Sequence, residues 1–125
     1  MTTQMAKELI SRVLSYEILK AGTNKEKKQL ALNNQELFAR SSATLESKKW
    51  SRGAFAELFL KSLRIPLDSY APVWLDEKGE FQDSIGTLRS KYYFQWKDQF
   101  GEKYFQSDRI ITLSEAMYLA GEVTR

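Results

Sequence analysis

The chain has 125 residues, 42% of them hydrophobic, and a formal net charge of +3. It contains neither cysteine nor histidine, which excludes disulfides, the usual zinc sites, and catalysis by a histidine base or a cysteine nucleophile. Carboxylate, lysine, serine and tyrosine chemistry stay open.

The size fits one globular domain spanning 1–125. The longest apolar run, Ala116–Ala120, falls far short of the ~20 residues a bilayer span needs. The opening "MTTQMAKELISRVLSYE" has no apolar signal core and carries Glu8 and Glu17, so it reads as the first helix of the mature chain, and a cytoplasmic location is expected. Charge is polarised along the sequence. Residues 1–65 hold twelve Lys/Arg against six Glu, a formal +6, and residues 66–125 hold seven Lys/Arg against ten Asp/Glu, a formal −3. That split points to an acidic partner for the first half.

Met5, Leu9, Val13 and Tyr16 recur on one face and predict a helix over 4–21, with Gly22 placed to end it. Thr23 and Glu26 form a reciprocal capping pair for a second helix over about 24–40, so the first two helices are expected to pack antiparallel. Ala54, Phe55, Leu58, Phe59 and Leu63 predict a third helix over 51–64, capped by Ser51 and stopped before Pro66.

Past Pro66 the pattern changes. "APVWLDEKGEFQD" reads as a small β-hairpin, with Val73, Trp74 and Leu75 extended and Gly79 at the positive-φ position of the turn. The segment 87–106 then holds seven of the sixteen aromatic residues. Leu88, Tyr92, Trp96 and Phe100 follow a helical period, and Thr87 and Gly101 would bound a helix over 88–100. As a strand, Tyr92, Phe94 and Trp96 would alternate with Lys91, Tyr93 and Gln95; length and caps favour the helix. "RIITL" (109–113) is β-like, and Thr112 with Glu115 caps a last helix over about 114–121. The expected fold is therefore α+β and predominantly helical, with an N-terminal three-helix layer, a small hairpin, an aromatic-rich helix and a short C-terminal helix. A three- or four-stranded antiparallel sheet across 72–112 is the alternative.

Two short resemblances stand out. "ITLSEAMYLAG" (111–121) resembles the opening of an excisionase-type helix-turn-helix, but no recognition helix fits before Arg125, and that helix is the part that enters the groove. "PLDSYAPVWLDEK" resembles the Pro-Asp…Asp/Glu-x-Lys signature of metal-dependent nucleases, which would give Asp68, Asp76, Glu77 and Lys78 a role around Mg²⁺. Leu67 interrupts the Pro-Asp pair, and the acidic group falls at an expected turn beside Gly79.

Tyr93, Phe94 and Phe105 lie off the helical stripe of the aromatic segment and, with Lys97, are the candidate partner-binding residues, since interfaces favour aromatic side chains. Lys25, Lys27, Lys28, Lys48, Lys49 and Arg52 are the candidate contacts to nucleic acid or another acidic surface, as they could follow a phosphate backbone without reading sequence. No cofactor, metal site or catalytic residue is expected. The function read from the sequence is a non-enzymatic adaptor, assembly factor or inhibitor that docks on a protein partner, one that itself handles nucleic acid. Direct nonspecific nucleic-acid binding is the alternative, and a Mg²⁺-dependent nuclease comes third.

Overall fold

In the computed structural model, residues 1–20, 49–99 and 102–124 are described. Four α-helices carry the architecture: α1 (Thr3–Lys20), α2 (Arg52–Ser62), α3 (Gln82–Tyr92) and α4 (Leu113–Thr124). A 3₁₀ turn, Gly79–Phe81, leads into α3. The expected helix over 24–40, with its caps, and the basic residues Lys25, Lys27, Lys28 and Lys48 lie outside the described residues.

Helix α2 is the central element and packs against the other three. Ser51 starts it: the Oγ accepts from the amide of Ala54 at 3.1 Å and satisfies a donor the first turn leaves free. Phe55, Ala56, Phe59 and Leu60 are buried along it and meet Ile10 of α1, Ile85 and Leu88 of α3, and Leu119 of α4 in one core. Close approach is needed at Gly53, where a Cβ would stand 2.4 Å from the Phe81 ring. The chain before α2 runs beside 107–111: Arg52 and Gly53 donate to the carbonyls of Arg109 and Ser107, and Ile111 donates to that of Trp50. These bonds form one isolated antiparallel bridge, Ser51 to Ile110, and no strand occurs among the described residues.

Sequence expectations for the second half of the chain are corrected. The fold is helical, not α+β, because the expected hairpin at 71–83 does not form and neither does the sheet across 72–112. The supposed second arm, "EFQD", instead opens α3. Gly79 does take positive φ (+80°), at the start of the 3₁₀ turn. The first arm is held by a side chain in place of a ladder: Asp76 accepts from the amides of Phe105 (2.8 Å), Gln106 (2.7 Å) and, more loosely, Ser107 (3.4 Å). Trp74 is buried on Phe105, ring centroids 5.8 Å apart.

The helix expected over 88–100 stops at Tyr92. Thr87 is not its cap but lies buried within α3, where its hydroxyl accepts from the Asp68 amide. Tyr93 turns into the left-handed region (φ 54°, ψ 33°), and its amide and that of Phe94 return to the Leu88 carbonyl. From there residues 93–97 alternate, with Phe94 and Trp96 buried and Tyr93, Gln95 and Lys97 exposed. Two rings at i and i+2 reach the core together only from extended backbone, and burying both overrides the helical period.

Other expectations stand close to the structure. The helix expected at 4–21 covers 3–20, the one at 51–64 covers 52–62, and the last, at 114–121, covers 113–124. Thr112 and Glu115 exchange the two bonds of a capping box, at 3.0 and 3.1 Å. Among the described residues no helix is long and apolar enough to cross a membrane.

Candidate functional site: the 93–99 segment and the Arg52 centre

The irregular segment after α3 lines three open clefts. An outer cleft of about 650 Å³ lies among Tyr93, Gln95, Lys97, Gln99, Glu102 and Tyr118. A groove of about 320 Å³ on the other side of Tyr93 is bordered by Val73, Trp74, Arg89 and Gln95. An inner cleft of about 330 Å³ shares Trp96, Lys97, Asp98 and Tyr118 with the outer one and is completed by Arg52, Ser114 and Glu115.

Tyr93 forms the ridge between outer cleft and groove. Its side chain is 87% exposed, although its backbone holds a conformation that glycine adopts most easily. Val73 and Leu75 are also exposed, at 67% and 64%, on either side of buried Trp74. Lys97 lines the outer cleft with Tyr93, and so do Asp98 and Glu102. The Lys97 ammonium lies 5.0 Å from the centre of the Tyr118 ring, and the Tyr118 hydroxyl donates to the Gln95 carbonyl at 2.8 Å, which ties the segment to α4.

Beneath the clefts Arg52 is buried. Its Nη1 donates to the Phe105 carbonyl at 3.1 Å, and its Nη2 meets Asp98 at 3.1 Å and also Glu115. The guanidinium carbon lies 4.1 Å from the centre of the Trp96 ring. Burial pushes the Glu115 carboxyl up, but bonds from the Thr112 amide and the Arg52 guanidinium outweigh burial and hold it below the ordinary glutamate range. Two buried donors, Arg52 Nε and Trp96 Nε1, have no hydrogen-bond partner among the described residues.

A second arginine centre lies behind the groove. Arg89 grips buried Glu77 through Nε (2.6 Å) and Nη2 (2.9 Å), and the Nη2 also donates to the Ala71 carbonyl. The hydrogen bond to Glu77 raises the Arg89 pKa above its ordinary value, against the effect of burial.

The structure separates the residues nominated from sequence. Tyr93 and Lys97 line the outer cleft together. Phe94 and Phe105 are instead core side chains, 2% and 0% exposed, with ring centroids 6.2 Å apart. Lys49 is exposed, whereas Arg52 turns inward to its carboxylates and offers no charge to an external phosphate. In the nuclease-like stretch, the Asp76 carboxylate is taken by backbone amides, Glu77 is clamped by Arg89, and Asp68 is exposed. Among the described residues, no group of three or more acidic side chains is placed to hold a metal ion. Trp96, Asp98, Ser114, Glu115 and Tyr118 were not nominated. Their one local signal was the Thr112–Glu115 pair, which marks a cap and is silent on Arg52.

No protein-family model, curated protein or solved structure matches the chain.

Proposed function

We propose that the chain is a non-enzymatic docking protein, an adaptor, assembly factor or inhibitor working in the cytoplasm, and that it engages a protein partner through the Tyr93–Lys97 ridge. The observation that carries this reading is Tyr93 itself. A residue with a Cβ loses about 1–2 kcal/mol in the left-handed region, and an 87% exposed ring recovers almost nothing by burial. Neither backbone geometry nor packing accounts for tyrosine there. An aromatic ring on a well-supported ridge is what a protein interface uses as an anchor. Exposed Val73 on the same groove extends the apolar surface, and Lys97, beside Tyr93 in the outer cleft, suits an acidic group on the partner.

The test is retention of native-cell proteins on the immobilised chain, compared with its Tyr93→Ser variant, with and without nuclease. A defined partner should be retained by the wild type, survive nuclease, and be lost with Tyr93→Ser at an unchanged urea midpoint. Equal retention by the variant refutes the ridge. Loss on nuclease treatment would instead favour direct nucleic-acid binding by Lys25, Lys27, Lys28, Lys48 and Lys49.

A further inference from the structure

We infer that α4 is the contact element of a symmetric dimer, in which its outer stripe packs antiparallel on the same stripe of a second copy of this chain. One side of α4 buries Ala116, Leu119, Ala120 and Val123 in the core. Four-residue steps along the other side bring Leu113, Met117 and Gly121 onto one stripe. All three are exposed, the two large ones at 38% and 57%. Gly121 is the telling residue. It sits inside a helix, where glycine is a poor choice. Its φ is not positive, and a Cβ there would meet nothing within 4 Å among the described residues. Neither backbone geometry nor packing within the chain requires glycine there, so the space above it is free for a side chain from outside.

Two observations select a second copy as the occupant. Leu113 and Gly121 lie equally far from Met117, four residues on either side. A two-fold axis at Met117 therefore sets Leu113 of each copy over Gly121 of the other, a large side chain on an open glycine, twice. Charge agrees with the antiparallel sense. The last turn of α4 holds Glu122 and no basic residue, the reverse of what the negative end of a helix favours. In the dimer that turn lies across from the first turn of the other copy's α4, its positive end. None of the three stripe residues lines the outer cleft, the groove or the inner cleft, so the stripe is distinct from the Tyr93 ridge. A contact of so few residues falls well short of the ~1,600 Å² of a standard interface, so the dimer is weak.

Sedimentation equilibrium of the full chain is the test. Between about 10 µM and about 1 mM protein the apparent mass should climb from one chain toward two, with a dissociation constant of about 0.1 mM. Gly121→Leu is the decisive variant. It adds apolar surface in open space, so non-specific association would grow stronger. The Leu113 fit, in contrast, is blocked, and the dimer should weaken about tenfold or more. Met117→Asp should weaken it as much, and Tyr93→Ser should leave it unchanged. Met117 and Gly121 are both exposed, so their substitutions leave the core intact. A chain that stays monomeric up to ~1 mM overturns the inference. So does a Gly121→Leu or Met117→Asp chain that dimerises as tightly as the wild type, or a dimer that is lost with Tyr93→Ser.

Discussion

The chain builds two guanidinium–carboxylate centres, and they are unlike. At Arg89 the fork is matched: Nε and Nη2 face the two oxygens of Glu77, and the carboxylate has no exposure at all. At Arg52 one nitrogen, Nη2, serves both Asp98 and Glu115, the other goes to a backbone carbonyl, and Nε is left over. The carboxylates differ as well, since Asp98 and Glu115 each keep some contact with water. A matched fork closes on itself and serves the fold. A mismatched one keeps spare donor capacity, and here it sits at the floor of a cleft.

The contrast can be broken most forcefully at Arg89. Arg89→Ala strands the wholly buried Glu77 charge and should reduce stability by about 3–5 kcal/mol in urea unfolding. Arg52→Met should be milder, about 2 kcal/mol, because Asp98 and Glu115 can turn to solvent when the guanidinium is gone. If the two variants lose equal stability, the centres are equivalent and the distinction fails.

Glu115→Gln sharpens the comparison through pH. The folded state holds the Glu115 pKa below its unfolded value. Its contribution is therefore fully present above the unfolded value of about 4.3, and is lost as pH falls through the lower folded value. Wild type should lose stability over that acid window, and Glu115→Gln should lose less of it, as followed by thermal unfolding from neutral pH downward.

Local signals in the sequence carried the helices. The Ser51 cap, the Thr112–Glu115 box and the apolar spacing of α2 involve residues a few positions apart, and each is found in the structure; α1 forms as expected but buries Ala6 and Ile10, while Met5 of its expected face is exposed. The hairpin failed for the opposite reason. Val73, Trp74 and Leu75 favour extended backbone locally, but their partners lie far along the chain: the Leu75 amide donates to the Lys103 carbonyl, Trp74 stacks on Phe105, and neighbouring Asp76 accepts from the Phe105 amide. The aromatic segment misled because Leu88, Tyr92 and Trp96 fit a helical period, whereas the alternation of Phe94 and Trp96 gave the true directions of the rings without a strand to pair with. Composition was enough to nominate Tyr93 and Lys97. Nothing near Arg52 in sequence reveals its inward fate, because Asp98 and Glu115 lie 46 and 63 residues away.

Asp76 draws together two points of the chain 30 residues apart at Gln106. The same junction is closed by a backbone bond from the Leu75 amide to the Lys103 carbonyl (2.8 Å) and by the Trp74–Phe105 stack, so the carboxylate works beside two other ties. A neutral side chain at 76 would leave the amides of Phe105 and Gln106 without their charged acceptor, a loss felt at the 105–107 turn while every ridge residue keeps its own ties.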